Sequence, residues 1–187
     1  MHDYSCHSIT SVFGKIVEFD DCAFSYFKSV IGKGLFKYNY SLVSIEIKGK
    51  ITELPADTFW ECYYLEDVKL PDTIKTIGNA AFGCCYMIDE LILPASTTKV
   101  EYHALWGMKG LKRVVFGNKV EEIGGEQFRD AFNLEEIVFP ASLKTISESI
   151  FSYMSDDVKN YLVIKAPKGS KAAKYFETEG FDITYTK

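Results

Sequence analysis

Leu65-Glu-Asp-Val68-Lys-Leu70-Pro71-Asp-Thr-Ile74-Lys-Thr-Ile77-Gly78-Asn-Ala-Ala81-Phe82-Gly-Cys-Cys85-Tyr-Met87 is one complete unit of a pattern that recurs every 23 residues. Outward from it, Leu65 falls in a column with Leu42, Ile88, Leu111 and Leu134, and Phe19 extends the series backwards. Val68 belongs with Ile45, Leu91, Val114 and Ile137 under Cys22; Leu70 belongs with Ile47, Leu93, Phe116 and Phe139 under Phe24. Ile77 aligns with Ile31, Leu54, Val100, Ile123 and Ile146, and Phe82 with Phe36, Phe59, Leu105, Phe128 and Phe151. Five apolar columns in one register mean a solenoid, whose units bury their apolar sides against one another.

Within the unit, Leu65, Val68 and Leu70 face inward while Asp67 and Lys69 face out, the alternation of a short strand with one solvated side. Pro71, Pro94 and Pro140 follow the strand in one column and mark where ladder pairing stops, since proline has no N–H to give. Ile74 and Ile77 form a second, weaker inward pair. Gly78 stands in a column with Gly32 and Gly124, where the absence of a Cβ suits a tight bend. The stretch 79–85 is too short for an independent helix and is expected to form one helical or 3₁₀ turn that plugs Phe82 and Cys85 into the interior.

The expected architecture is a single right-handed solenoid of about seven coils. Residues 1–18 form a partial unit, 19–156 six units, and 157–187 a divergent final unit and cap. The main parallel sheet is expected near 21–24, 44–47, 67–70, 90–93, 113–116, 136–139 and 162–165. Lys28 in an inward slot marks the first unit as the loosest, with a local slip. The last strand recurs as Ile164-Lys-Ala-Pro167, offset by 27 residues from Ile137-Val-Phe-Pro140. Ser170 is expected to cap a helix over Lys171–Glu179, ended by Gly180, and Phe181–Tyr185 to add a closing strand.

Composition bounds the function. A 47% hydrophobic fraction in 187 residues supplies a continuous core, and no apolar run approaches the roughly 18 residues of a membrane span. The net charge of −5 comes with no basic run longer than Lys112-Arg113, against the Lys/Arg stripe expected of a nucleic-acid binder. The opening Met1-His-Asp-Tyr-Ser-Cys-His lacks the basic and apolar segments of a secretory signal. The expectation is an intracellular chain, or a leader outside this sequence. Cys62 and Cys85 lie one period apart and read either as stacked buried thiols or as a disulfide between adjacent coils. His2, His7 and His103 gather no ligand cluster, so neither metal nor cofactor is expected.

The units resemble the BspA-like leucine-rich repeats, which read approximately L-x-x-I-x-L-P-x-x-[IL]-x-x-I-G-x-x-A-F-x-x-C. Val68, Leu70, Pro71, Ile74, Ile77, Gly78, Ala81, Phe82 and Cys85 carry the fullest match; Ser147 and Met154 replace the glycine and cysteine of the last unit. The resemblance implies protein binding or adhesion, at the cell surface or after secretion, with a host or extracellular protein as partner; cytoplasmic members exist as well. It brings no catalytic residues.

Binding specificity must come from positions that vary on the scaffold. Two outward rows qualify: Asp67, Glu90, Arg113 and Glu136, and beside them Lys69, Ile92, Val115 and Val138. The second row turns apolar, which fits a protein-contact strip and equally fits plain strand propensity. Tyr40, Tyr63 and Tyr86 form an aromatic edge, followed in the column by Lys109 and Phe132, with Trp60 and Trp106 in another column. They read either as stacked shielding of a corner or as interface anchors; a sugar-binding surface is the third choice after a structural or assembly role. The acidic pairs Asp20-Asp21, Glu66-Asp67, Asp89-Glu90 and Glu135-Glu136 recur with the unit and read as a solvated border, so a catalytic role is not expected. His103 lies near Glu101 with no nucleophile evident.

Overall fold

A computed structural model describes residues 17–19, 33–47, 50–154 and 156–187. Eight strands stand on one side of the coil: β1 (Val17–Phe19), β2 (Ser44–Ile47), β4 (Asp67–Lys69), β6 (Glu90–Ile92), β8 (Arg113–Val115), β10 (Glu136–Val138), β12 (Val163–Pro167) and β13 (Ile183–Thr186). Every pairing is parallel, and Leu91, Val114 and Ile137 partner one another in the register the 23-residue period dictates. Ile137 pairs with Ile164, so the 27-residue offset of the last unit is real.

The first unit departs from its expected register. Val17 and Phe19 pair with Ile45 and Ile47, 28 residues on rather than 23. The strand expected near 21–24, with Cys22 and Phe24, lies outside the described residues.

Two further ladders hold the coils together. β3 (Glu53–Leu54), β5 (Thr76–Ile77), β7 (Lys99–Val100), β9 (Glu122–Ile123) and β11 (Thr145–Ile146) form a second parallel sheet. Ile77 is the inward residue of β5, where the sequence showed only a weak apolar pair. The third ladder replaces the helical turns expected near 79–85. In the coil before, Thr58, Trp60 and Cys62 donate N–H groups to Pro55, Asp57 and Phe59 carbonyls, closing successive β-turns. The intervening Asp57, Phe59 and Glu61 donate instead to Asn79, Ala81 and Gly83 of the next coil, at 2.8 Å each. Half of the amides are thus satisfied across the stack, which a helix would forbid. The geometry requires left-handed residues at two fixed positions, filled by Gly34, Asp57, Ala80, His103 and Glu126, and by Tyr38, Glu61, Cys84, Gly107, Asp130 and Tyr153.

Gly78 and Gly124 serve close approach rather than a left-handed bend. A Cβ on Gly78 would stand 2.7 Å from the Leu54 carbonyl oxygen, and one on Gly124 2.6 Å from the Tyr102 nitrogen.

The core is one continuous column through all described coils, with Phe59, Phe82 and Phe128 fully buried. Its C-terminal end is closed by helix α1 (Lys171–Thr178), capped by Ser170, whose hydroxyl accepts the Ala173 N–H at 3.2 Å. Phe176 packs on Phe139 and Phe151, and Phe181 seals the same end. Gly180, at φ 83°, ends the helix before β13.

The strand side is not continuous. β1, β2 and β4 form one sheet and β6, β8, β10, β12 and β13 another. No Cα of β4 lies within 8 Å of a Cα of β6, whereas paired strands are about 4.8 Å apart. The two coils remain joined elsewhere, through Thr76–Lys99 pairing and the Phe82 N–H to Ala104 carbonyl bond. They part only at the strands. Inward residues record the opening: Val68 and Leu70 are partly exposed, while their counterparts Leu91, Leu93, Val114 and Phe116 are buried. The charges supply a reason. Asp67 would face Glu90 and Glu66 would face Asp89, and like charges directly opposite destabilise a pair. At the next junction the pairing reverses sign, with Glu90 opposite Arg113.

Candidate functional site

Alternation along each strand sends one set of side chains into the core and the other to solvent. On the outward side of β6, β8 and β10 the register stacks Glu90, Arg113 and Glu136 in one row and Ile92, Val115 and Val138 in the next. Six of the eight residues singled out from sequence therefore share one surface. Asp67 and Lys69, exposed on β4, stand across the gap.

The charged row is a continuous ion-pair ladder. The Arg113 guanidinium bonds Glu90 through Nη1 and the Glu136 carboxylate through Nε, the latter at 2.7 Å. Lys165 of β12 adds a contact of 2.6 Å to the other Glu136 oxygen. Partial burial pushes the Glu136 pKa up, but the bonds from Lys165 and Arg113 outweigh it and hold the carboxyl below its usual range. The Glu136 and Glu90 bonds raise the Arg113 pKa in turn. Lys165 joins this ladder and was missed from sequence, although the 27-residue offset, which places Lys165 beside Val138, already carried the signal.

The apolar row is uneven. Ile92 is 60% exposed, the most open large aliphatic side chain among the described residues, while Val115 and Val138 are partly covered. Ile92 also borders the gap, so no strand shields its outer side.

Elsewhere the aromatic columns do stack. Tyr40, Tyr63 and Tyr86 lie face to face with centroids 5.2 and 4.7 Å apart, and the Lys109 ammonium covers Tyr86 at 4.8 Å. Trp60 and Trp106 stack at 5.0 Å although two coils apart. Gly83 permits it, because the Trp60 ring occupies the space a Cβ would need, 2.4 Å away. His103 pairs with Glu126 at 3.0 Å rather than with Glu101, whose carboxylate accepts the Asn79 N–H and meets Lys99. Hydrogen bonds from Tyr102 and His103 lower the Glu126 pKa to about 2. This carboxylate is a permanently charged anchor, unsuited to proton transfer near neutrality.

Cys62 and Cys85 are free, buried thiols. Each sulfur reaches a carbonyl of the preceding coil, Phe36 at 3.0 Å and Phe59 at 3.2 Å. Burial pushes the Cys62 thiol up to about 12. The disulfide reading gives way to stacked thiols. Among the described residues, no group of three or more His, Cys, Asp or Glu side chains could hold a metal ion, and no helix is long and apolar enough to cross a membrane.

Parallel coils of fixed period with an outward strand face define a leucine-rich-repeat solenoid. The chain belongs to the BspA type leucine rich repeat family, whose model matches residues 29–156 in six copies. The fold is similar to that of a Treponema pallidum leucine-rich repeat protein, at 22% identity and TM-score 0.66, covering 83% of this chain and 78% of that one. The pneumococcal vaccine antigen PcpA matches at 22% identity and TM-score 0.63 over 83% of this chain. A leucine-rich repeat protein from Bacteroides ovatus matches at 21% and 0.58 over 82%. The aligned part spans only 38% and 33% of those last two proteins. No curated protein matches the sequence. Leucine-rich-repeat proteins of this kind are generally non-catalytic modules for protein interaction or surface adhesion.

Proposed function

We propose that the chain is a non-catalytic protein-binding module that engages its partner through the outward face of β6, β8 and β10. The observation that carries this reading is Ile92, 60% exposed at the head of an apolar strip beside a fixed ladder of Glu90, Arg113 and Glu136. An apolar centre with oriented charge at its margin is the anatomy of a protein interface, and the ladder holds its side chains in place before a partner arrives. A surface or secreted setting, with a host or extracellular protein as partner, extends the reading by family.

A sugar-binding role has less support from the aromatic edge. Tyr40, Tyr63 and Tyr86 spend their ring faces on one another and present edges to solvent, whereas a saccharide stacks on an open face. One feature favours it, a groove of about 580 Å³ with Asn79, Glu101, Tyr102 and Ser147 in its wall.

Affinity capture from the organism that makes the protein tests the proposal. A specific partner is expected, with retention lost in Ile92→Asp and Val115→Asp variants that keep the parent's melting temperature, because each buries a charge without a mate. Unchanged capture by both folded variants would move the site elsewhere. Capture that is competed by free sugar and lost in Tyr102→Ala would favour the groove. A chain that captures only its own copies would make it an assembly element.

A further inference from the structure

We infer that the gap between β4 and β6 is a slot for one extended, basic peptide segment, which adds as a strand between them. The inference deepens the proposed function and rests on that reading of the face. Three independent features of the slot define its occupant.

The first is width. One intervening strand would hold β4 and β6 about 9.6 Å apart, twice the ordinary spacing, and the observed separation exceeds 8 Å. The coils are tied on either side of the opening, by the Ser96 hydroxyl to the Ile74 carbonyl at 2.6 Å and by the stacked rings of Tyr63 and Tyr86 at 4.7 Å. The slot is therefore bounded at both ends.

The second is backbone. At the adjoining junction the Leu93 N–H donates to Val115, and the Lys112 and Arg113 N–H groups donate to Asp89. The same pattern one coil earlier aims the N–H groups of Val68 and Leu70 and the carbonyls of Glu66 and Val68 into the slot from one side. The N–H groups and carbonyls of Glu90 and Ile92 enter from the other. No ladder joins these edges among the described residues. Such rows are the template for strand addition, in which main-chain bonds supply affinity and alternate side chains supply specificity.

The third is side-chain chemistry. Four carboxylates, Glu66, Asp67, Asp89 and Glu90, flank the mouth; Asp89 and Glu90 have partners in Lys112 and Arg113, while Glu66 and Asp67 have no ion-pair partner among the described residues. Below them Val68 and Leu70 are incompletely covered, although they pack against the core. A strand with basic residues outward and apolar residues inward would neutralise the first group and cover the second. The acidic pairs that hold β4 and β6 apart are thus the groups that would select the insert.

The probe is a short fluorescein-labelled peptide alternating lysine and valine, with a glutamate–valine peptide and a lysine–valine peptide N-methylated on alternate residues as controls. In the free protein the amides of Val68, Leu70, Glu90 and Ile92 are expected to exchange as rapidly as those of open chain, while the amide of Val114 is protected. The lysine–valine peptide should bind and slow exchange at those four amides about tenfold or more. N-methylation should abolish binding by removing backbone donors. Asp67→Lys, which places opposite charge across from Glu90 and lets the strands close, should weaken binding about tenfold or more and raise the melting temperature. Full protection of the four amides without peptide would overturn the inference, as would no binding of the lysine–valine peptide or equal binding of the N-methylated peptide. A natural partner lost in Val115→Asp but indifferent to Asp67→Lys would sink the slot while leaving the wider face reading intact.

Discussion

Phe82→Ala should cost about 3–5 kcal/mol of unfolding free energy, the range for emptying a fully buried aromatic site. Phe82 is wholly buried and stacks on Phe59 of the preceding coil at 5.5 Å, and Phe59 in turn stacks on Phe36. A coil touches only its neighbours, so little surrounding structure is free to collapse into the cavity. Phe128→Ala, equally buried, should behave alike, and exposed Lys75→Ala should stay within about 0.5 kcal/mol of the parent. Urea unfolding reads all three. A loss under about 1 kcal/mol for both phenylalanines would mean that the inward face is misassigned.

Gly110→Ala adds a single methyl group, yet is expected to destabilise by about 1–3 kcal/mol or more. The new Cβ would stand 2.1 Å from the carbonyl oxygen of Tyr86, far inside van der Waals contact. The obstacle is backbone rather than a flexible side-chain tip, and the same carbonyl lies where the Tyr86 and Lys109 edges of adjacent coils meet. Relief requires the two coils to separate. The clash falls just before the paired strands β6 and β8, and among the described residues β6 has no ladder to β4 on its other side. The damage should therefore be local: faster amide exchange in residues 86–92 before the rest of the stack responds. Thermal unfolding together with hydrogen exchange measures both parts, and an unchanged melting temperature would contradict the close approach of these coils.

The fold was legible in the sequence because each buried column is a separate copy of one constraint. Leu91, Val114 and Ile137 fall on the inward side of every unit, and the structure pairs them in direct register. Ser170 and Gly180 bound the cap helix through local capping chemistry that needs no tertiary information. The first unit was less legible. Val17 and Phe19 alternate as well as Cys22 and Phe24 do, so periodicity alone could not choose between a 28-residue and a 23-residue step. The left-handed turns carried only a broken signal: Gly34, Gly107, Asp57, Asp130 and His103 suit that conformation, but Ala80, Glu61, Cys84 and Tyr153 in the same two columns do not. Tertiary hydrogen bonding between coils imposes it.

The outward direction of the strand residues was legible, and the continuity of the sheet face was not. A column records which residues share a direction; it does not record how far apart successive coils stand. The clue lay in cross-strand charge: Glu66 against Asp89 and Asp67 against Glu90, followed by Glu90 against Arg113. The recurrent acidic pairs looked like a solvated border along one strand at a time. Their effect emerges only between strands, where two of them meet without a cation. Lys165 escaped for a related reason, because its reach to Glu136 crosses the one junction whose spacing is 27 residues.

We propose that partners meet the outward strand face rather than the other sides of the coil. A photo-crosslinking residue placed in turn at Val115, Glu122 and Phe132 samples three sides of the same coil: the strand face, the second sheet and the aromatic edge. Irradiation in the presence of the captured partner should yield an adduct from Val115 and none from Glu122 or Phe132. Adducts from Glu122 or Phe132, with none from Val115 in an equally folded protein, would contradict the account.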